Sequence, residues 1–513
     1  MNGAHSLLQA LEKAGVDTCF ANPGTSEMQL VAAIGESDSV RPILCLFEGV
    51  VTGAADGYGR MADKPATTLL HLGSGFSNGM ANLHNARRSG SPIVNIVGDH
   101  ADYHLQYDAP LTSDLPGLAT WASHWTKVAQ SPHDLAASGI EAVNAAMAGN
   151  GRIATLIAPA NHAWDPIEGA AEPDSADADA PCTEDVLADV AARLQNGRRT
   201  ALFLGGRALR EGTLDTLGAI AASTGADLWC QTFPARLQRG AGRVPVQRLP
   251  YFAEQACEAL APYEQMILVG AQAPVSFFAY PGKESWLAPQ GCDITSLVTA
   301  EQPIEEATQR LAERIPALQQ TATTPRVSPD LDAGPLTPAA VGQVMSRHMP
   351  AQAIVSDEGA TCGLQIYAET GTAEPHDWLT LTGGAIGQGL PVALGAAIAC
   401  PEQKVIALQA DGSAMYTIQA LWTMARENVD VTVVLLNNRS YAILNIELQR
   451  VGAGTPTPKT LSMLDLSNPN MDFQAMAASL GVTAHRATTA EEFEAQFAEA
   501  MQQSGPVLIE CMV

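Results

Sequence analysis

The sequence is short of positive charge, of aromatic residues and of long apolar runs. Of its 513 residues, 28 are Lys or Arg and 54 are Asp or Glu, so the formal net charge is −26. A surface this acidic repels the phosphate backbone of nucleic acids and the headgroups of anionic lipids. We therefore expect neither a nucleic acid nor a membrane as a partner.

The nine cysteines are scattered singly and form no CxxC pair. This usage is typical of reduced thiols in the cytoplasm and not of a disulfide framework. The first residues contain no basic segment followed by an apolar core, so we predict no signal peptide. The longest nearly apolar run, residues 389–400, is much shorter than the ~20 residues that span a bilayer. These absences predict a soluble, cytoplasmic protein.

Apolar runs of strand length alternate with helical patterns along most of the chain. Hydrophobic residues make up 46% and charged residues 16%, which lies in the globular range. Such alternation favours an α/β fold in which parallel sheets are flanked by helices. The rhythm breaks at two stretches rich in Ala, Asp, Pro and Thr. We predict three α/β domains at residues 1–165, 183–320 and 336–513, joined by linkers at about 166–182 and 321–335.

The most informative segment is a βαβ unit near the C-terminus. A predicted strand at 405–410 runs into Asp411 and Gly412, and the next predicted strand is followed by Asn438. Parallel strands of one βαβ unit end on the same edge of the sheet, so Asp411 and Asn438 can converge. Their oxygens, together with the backbone carbonyl of Ser440, suit Mg²⁺. The backbone N–H groups that follow Asp411 suit a phosphate.

These motifs resemble the signature of thiamin-diphosphate (ThDP) enzymes, in which GDG is followed after 25 to 30 residues by NN; Ala410 stands in place of the first Gly. The resemblance implies ThDP and Mg²⁺ as cofactors, with Asp411, Asn438 and Ser440 as metal ligands. It also implies that the cofactor is bound by residues near the metal motif and in two upstream segments. These residues are Gly384, Ile386, Glu358, Ala360, Thr361, Gly412, Ser413, Ala414, Tyr416 and Tyr441.

Three residues of the first predicted domain are candidates for proton handling. On position alone, Glu48 would be a charge partner of a helix N-terminus. Its surroundings resemble the family segment in which a Glu hydrogen-bonds N1′ of the aminopyrimidine, and this implies a catalytic role. The segment around His71 aligns with a catalytic His of benzoylformate decarboxylase. Thr25 takes the place of that enzyme's active-site Ser in the loop Asn22-Pro23-Gly24-Thr25-Ser26-Glu27.

The resemblance spans the chain and is strongest to the group that contains benzoylformate decarboxylase and the acetolactate synthase large subunit, but it has gaps. Ala279 stands where benzoylformate decarboxylase has a second catalytic His. Residues 108–112 lack the Gln usual in acetolactate synthases. Phe277 and Phe278 either line a substrate pocket or belong to the core.

The resemblance implies a three-domain ThDP enzyme with pyrimidine-binding, central and diphosphate-binding domains. Its activity would be non-oxidative decarboxylation of a 2-oxo acid through an enamine, with possible carboligation to an acetohydroxy acid or acyloin. A lyase that cleaves acyloins or 2-hydroxyacyl-CoA, and a catalytically silent ThDP-binding protein, remain alternatives. FAD stays open, because the glycine-rich signal at residues 203–207 is weak. Since family members share each active site between subunits, a homodimer or homotetramer is implied.

Overall fold

The computed structural model describes residues 1–168 and 180–513, and within these ranges the chain forms three β-sheets flanked by helices. The predicted fold class, α/β with parallel sheets, is confirmed. The linker predicted at about 166–182 lies largely outside the described residues. Among the described residues, no helix combines the length and the apolar character needed to cross a bilayer.

The first sheet has six parallel strands in the order β2-β1-β3-β4-β6-β5. Its strands are β1 (Thr18–Asn22), β2 (Arg41–Leu44), β3 (Ala66–Leu70), β4 (Ile93–Asp99), β5 (Trp125–Val128) and β6 (Ile153–Pro159). The accompanying helices are α1 (Gly3–Lys13), α2 (Met28–Gly35), α3 (Glu48–Ala62), α4 (Leu72–Asn78), α5 (Met80–Ser89), α6 (Asp102–Leu105), α7 (Leu115–Ala122), α8 (Pro132–Met147) and α9 (Ala160–Trp164).

The second sheet has five parallel strands in the order β10-β8-β7-β11-β12. Its strands are β7 (Thr200–Leu204), β8 (Asp227–Cys230), β10 (Gln247–Arg248), β11 (Gln265–Val269) and β12 (Asp293–Val298). Four helices pack around it: α10 (Glu184–Leu194), α11 (Glu211–Thr224), α12 (Ala253–Leu260) and α13 (Ile304–Ala312).

The third sheet has seven strands in the order β17-β18-β16-β15-β13-β14-β9. They are β9 (Arg236–Arg239), β13 (Ile354–Glu358), β14 (His376–Thr380), β15 (Val405–Ala410), β16 (Val431–Asn437), β17 (Thr483–Ala487) and β18 (Val507–Met512). The helices are α14 (Pro338–His348), α15 (Ala360–Glu369), α16 (Gly389–Ala399), α17 (Asp411–Thr417), α18 (Ala420–Glu427), α19 (Ala442–Arg450), α20 (Pro458–Leu461), α21 (Phe473–Ser479) and α22 (Ala490–Ala500). β9 comes from the range predicted as the central domain and pairs antiparallel with β14.

The first and third sheets are joined by a close contact between α3 and α16. A Cβ atom at Gly57 would overlap the carbonyl of Val392, and one at Gly395 would overlap the carbonyl of Ala54. Only glycine allows two helix backbones to approach this closely. The contact holds the start of α3, where Glu48 lies, beside the segment that leads into α16.

Candidate active site

The two motifs of the βαβ unit meet at the carboxyl edge of the third sheet. β15 and β16 are parallel neighbours, and their last paired residues are Ala410 and Leu436. The Asp411 carboxylate accepts hydrogen bonds from the backbone N–H of Gly412 at 2.8 Å and of Arg439 at 2.7 Å. The Asn438 side-chain oxygen accepts from the backbone N–H of Ser440 at 3.0 Å. The structure therefore brings Asp411 to the turn that contains the other two predicted metal ligands.

This cluster fits Mg²⁺ by its chemistry. Its side-chain donors are one carboxylate and one amide oxygen, and Mg²⁺ favours such hard oxygens while retaining waters or phosphate oxygens as further ligands. Burial raises the pKa of Asp411, so a bound cation would compensate a charge that the surrounding chain otherwise meets only with N–H groups. The described residues contain no group of three or more His, Cys, Asp or Glu side chains able to hold a metal.

The residues that follow Asp411 form the wall of this site. A Cβ atom at Gly412 would overlap the ring of Tyr441, so these two predicted contacts lie against each other. Ser413 and Ala414 are buried in α17, whereas the Tyr416 side chain is 53% exposed. The Tyr416 ring is thus available to a ligand or to a second chain.

A glycine-rich turn, residues 383–388, lies beside α17, which begins at Asp411, and is held by hydrogen bonds. The side-chain amide of Asn85 both donates to the carbonyl of Ala385, at 2.7 Å, and accepts from its N–H, at 3.1 Å. Gly384 adopts φ +76° and is exposed, and Ile386 is half-buried. The hydrogen bonds of Asn85 therefore fix the turn so that the Ile386 side chain and the exposed backbone of Gly384 are both accessible.

Three non-glycine residues next to predicted site residues have a left-handed backbone. Ala360, Leu72 and Arg439 have φ values of +49°, +50° and +56°, in the left-handed region that non-glycine residues rarely adopt. Ala360 and Thr361 begin α15, Leu72 follows His71, and Arg439 follows Asn438. Such conformations cost roughly 1–3 kcal/mol each and cluster at functional sites.

Glu48 is the first residue of α3, with its carboxylate 3.0 Å from the donating side-chain amide of Asn78. Asn82 connects this helix to the glycine-rich turn, because its side-chain amide donates to the carbonyls of Gly49 and of Gly387, at 2.7 and 3.3 Å. Glu48 therefore lies at a junction between the first sheet and the turn.

His71 has a partner that the sequence analysis did not identify. Its Nδ1 lies 2.8 Å from a carboxylate oxygen of Glu27, and the same oxygen accepts from the N–H of Gly24 at 2.7 Å. The Glu27 side chain is fully buried, its other oxygen has no partner, and burial raises its pKa. With Glu27 ionised, Nδ1 carries the proton, and Nε2 is left free to accept or release one. Thr25, two residues before Glu27, is exposed.

Glu27 lies in the same six-residue loop as Thr25, so its position in the sequence could have identified it as a residue that stabilises this loop. An acidic residue three positions after Gly24 can fold back onto the loop's own N–H, as a capping residue does. Its pairing with His71 crosses 44 residues of sequence, and no local pattern encodes it.

The segment that lacks the second histidine lies close to the glycine-rich turn. Ala279 is exposed, and a Cβ atom built on Gly384 would lie 2.6 Å from the Phe277 ring. Phe277 contacts Phe278 edge to face, with 4.9 Å between ring centroids, and also approaches Phe233 at 5.5 Å. The side chains of Phe277 and Phe278 are 41% and 53% exposed, so neither is an ordinary core residue.

Comparison with known proteins gives a consistent result. Residues 1–125 match the thiamine pyrophosphate enzyme N-terminal TPP binding domain, and residues 360–511 match the C-terminal TPP binding domain. A Mycobacterium tuberculosis protein provisionally named acetolactate synthase large subunit IlvX is 47% identical over 514 residues, covering 100% of this chain and 99% of its own. Benzoylformate decarboxylase of Pseudomonas aeruginosa is 29% identical, with 99% and 98% covered.

Solved structures show the same three-domain fold. A ThDP-dependent 4-hydroxybenzoylformate decarboxylase of Rhodococcus jostii RHA1 superimposes with a TM-score of 0.87 at 24% identity, covering 100% of this chain and 99% of its own. Benzoylformate decarboxylase of Polynucleobacter necessarius gives 0.85 at 20% identity, with the same coverage. With two domain matches and a full-length relative at 47% identity, the chain belongs to the ThDP-dependent enzyme family that includes acetolactate synthase large subunits and benzoylformate decarboxylases.

Proposed function

We propose that the protein is a ThDP- and Mg²⁺-dependent enzyme that decarboxylates a 2-oxo acid without oxidation and can ligate the product to a second carbonyl compound. The observation that supports this most directly is the convergence of Asp411, Asn438 and Ser440 beside the turn that contains Ile386. ThDP, when bound, supplies an electron sink for cleavage of the bond next to a carbonyl. The chain supplies metal ligands, position and proton transfer.

The proposed roles follow from where each group lies. Asp411, Asn438 and the carbonyl of Ser440 would hold Mg²⁺, and Gly412 with its neighbours would contact the diphosphate. Ile386 would support the bent cofactor, and the Gly384 carbonyl would accept from its amine. The loop containing Ala360 and Thr361 would border the diphosphate, as would Ser413, Ala414, Tyr416 and Tyr441.

Proton handling is assigned to the first sheet. Glu48, at the start of α3, would hold or release a proton at the aminopyrimidine ring. His71, oriented by the buried Glu27, would exchange a proton with substrate or product through its free Nε2. Thr25 is exposed in the same loop and could hydrogen-bond a substrate carboxylate through its hydroxyl.

One observation favours carbon–carbon bond formation over simple decarboxylation. Ala279 provides no acid at the place where a second His would act, and the adjacent Phe277 and Phe278 are apolar. With fewer proton donors, release of an aldehyde by protonation is less favoured than attack on a second carbonyl. A lyase that cleaves acyloins or 2-hydroxyacyl-CoA is the second candidate.

We also propose that the protein works in the cytoplasm as a homodimer or homotetramer, with domains at residues 1–165, 183–320 and 336–513. The nine cysteines are all free, and six are buried, which suits a reducing compartment. FAD is not included, because no further observation strengthens the weak glycine-rich signal.

The test is turnover of a panel of 2-oxo acids, including pyruvate and benzoylformate, by purified protein with ThDP and Mg²⁺, following both CO₂ and organic product. Acetolactate or another acyloin indicates carboligation, and an aldehyde alone indicates a decarboxylase. ThDP binding without CO₂ release from any 2-oxo acid would overturn the proposal in favour of the acyloin- or acyl-CoA-cleaving lyase.

A further inference from the structure

We propose that Glu358 is a positioning residue that ties the glycine-rich turn to the start of α17, so that the two ends of the cofactor site keep one fixed geometry. The inference rests on the proposed function in one respect, namely that the turn and α17 contact opposite ends of ThDP. The family resemblance implies that Glu358 contacts the cofactor. In the structure its carboxylate accepts from backbone N–H groups at the end of the turn and the start of α16.

Both oxygens of the Glu358 carboxylate accept hydrogen bonds from the chain. One oxygen accepts from the N–H of Gly387 at 2.6 Å, and the other accepts from the N–H of Gly389, also at 2.6 Å. The second oxygen also accepts from the side-chain amide of Gln409 at 3.1 Å. The residue is 3% exposed. Glu358 therefore holds the backbone at two points, at Gly387 in the turn and at Gly389, the first residue of α16.

Gln409 extends this connection to the metal motif. It is the penultimate residue of β15, and its side-chain nitrogen also lies 2.6 Å from the Ser413 hydroxyl in α17. A second connection runs in parallel, since the Thr417 hydroxyl of α17 donates to the carbonyl of Gly387 at 2.9 Å. Two separate sets of hydrogen bonds thus link the turn to α17. One runs through Glu358 and Gln409 to Ser413, and the other runs through Thr417.

Packing leaves this connection little freedom to rearrange. A Cβ atom at Gly389 would lie 2.5 Å from the Gln409 side-chain oxygen and 2.8 Å from Cβ of Glu358. The Ser356 hydroxyl donates to the carbonyl of Gly389 at 2.9 Å. A shift of the turn would break these contacts together.

The hydrogen-bond donors around Glu358 matter as well as its shape. Three N–H groups donate to its carboxyl oxygens, and such hydrogen bonds favour the ionised form. Burial acts in the opposite direction and raises the pKa of Glu358. All three donors are amide groups, and no Lys or Arg of the described ranges forms an ion pair with this side chain.

The experiment measures ThDP affinity, by quenching of tryptophan fluorescence at fixed Mg²⁺, in wild-type protein and in Glu358→Gln. The amide introduced there would place its own N–H groups against the donors, so we expect the Kd for ThDP to rise about 10- to 100-fold. Asp377→Asn is the matched control, because Asp377 is a buried carboxylate of the same sheet whose partner is Arg236. It should lower stability and leave the Kd within twofold.

Two further variants separate positioning from a general loss of structure. Combining Glu358→Gln with Gln409→Glu restores one carboxylate and one amide in the pair, and we expect it to recover part of the lost affinity. In a double-mutant cycle, Glu358→Gln and Ser413→Ala should be non-additive by at least about threefold in Kd, because both interrupt one route. Asp377→Asn and Ser413→Ala should be additive.

Each outcome decides the matter. If wild-type protein does not bind ThDP, the proposed function and this inference both fall. If it binds ThDP but Glu358→Gln binds within twofold of wild type, or its cycle with Ser413→Ala is additive, only the inference falls. Should Glu358→Gln not fold, Gln409→Leu interrupts the same route, and an unchanged Kd in that variant would equally overturn the proposal.

Discussion

Buried carboxylates at backbone N–H groups are the recurring feature of this site at the scale of single residues. Glu27, Glu358 and Asp411 are each nearly inaccessible, burial raises the pKa of each, and each accepts from two or more donors of the chain. A buried charge costs stability unless hydrogen bonds or a bound cation offset it. On the proposed function, a change at any of these three positions should affect the site.

Glu27→Gln should lower activity and raise stability. The amide keeps the shape but orients His71 poorly, so we expect kcat/KM to fall about tenfold or more. The unfolding midpoint in urea should rise at pH 8, because a buried charge with one unpartnered oxygen is removed. Both quantities are measured on the same preparations, with Glu36→Gln, which alters an exposed carboxylate, as control.

The stability difference should depend on pH with a definite sign. Burial raises the pKa of Glu27, so the folded protein binds this proton more tightly than the unfolded chain does. The contribution of Glu27 to stability is therefore lost as pH rises through the folded pKa and regained as pH falls. The advantage of Glu27→Gln should shrink towards pH 4, and an advantage that grows on acidification would contradict this reading.

Glu48→Gln should separate cofactor binding from chemistry. The side chain lies at the start of α3 and accepts from Asn78, and the amide can occupy the same space. We expect kcat to fall roughly 10²- to 10⁴-fold, the range for loss of a general acid or base, while the ThDP Kd changes much less. Steady-state kinetics and fluorescence titration distinguish the two quantities. Retention of more than a tenth of wild-type kcat would remove Glu48 from the proposed mechanism.

At the scale of elements, the α3–α16 contact determines how the first and third sheets meet. Gly395→Ala would force the new methyl group into the carbonyl of Ala54, so we expect a loss of about 1–3 kcal/mol in unfolding free energy. Gly212→Ala is the control, because Gly212 lies in α11 with no atom within 4 Å of the added methyl group. It should be neutral or stabilising by about 0.5–1 kcal/mol. If the two variants change the unfolding free energy in urea equally, the α3–α16 contact can accommodate an added methyl group and this prediction is wrong.

β9 illustrates how one element can join two predicted domains. It leaves the central range and pairs antiparallel with β14, and Arg239 at its end stacks 3.6 Å from the ring centre of Tyr367. The Arg239 guanidinium also donates to the carbonyl of Tyr367 at 2.8 Å. A strand from the central range thereby becomes the edge strand of the third sheet.

At the scale of the whole molecule, α19 leaves apolar side chains exposed in a single chain. No residue of α19 is buried, and Leu444 and Ile446 are 45% and 40% exposed, a few residues after Asn438. Exposed apolar surface beside a functional site marks an interface. We therefore expect at least a dimer of the 53.7 kDa chain.

Sedimentation velocity tests this expectation. Leu444→Glu would place a charge in the interface and should shift the protein towards the monomer, with ThDP affinity reduced in parallel. Val327→Glu, a change at another exposed apolar position at 51% exposure, should leave the mass unchanged. If wild-type protein sediments as a monomer and is active, the shared active site is wrong.

His376 should contribute a loss of stability on mild acidification. Burial and the neighbouring Arg239 lower the pKa of His376 to about 3, whereas the ordinary value is 6.5. Between these values the unfolded chain binds a proton that the folded protein does not, so stability declines as pH falls below 6.5, by at most about 1.4 kcal/mol per unit. His376→Phe should show a shallower decline in urea midpoint between pH 7 and 5 than wild type. His133→Asn, at an exposed histidine, should follow wild type.

The sequence by itself determined those features that short-range chemistry encodes. The strand at Val405–Ala410 and its successor at Val431–Asn437 are apolar runs of fixed length, and the right-handed βαβ rule places Asp411 and Asn438 together. The α/β class followed from the same alternation. Hydrophobic periodicity and crossover handedness act over tens of residues, so they can be read without coordinates in space.

Only the tertiary structure decided the contacts that give the site its geometry. Glu27 contacts His71, which is 44 residues away in sequence. The Glu358 carboxylate accepts from the backbone of the glycine-rich turn. β9 pairs with β14, which is more than 130 residues away. Each depends on the relative placement of separate elements, and the residues on either side carry no periodic signal for it. Glu358 shows the reason most clearly, because whether a carboxylate at the end of a strand points towards a ligand or into the chain is set by which N–H groups the packed fold leaves without a partner.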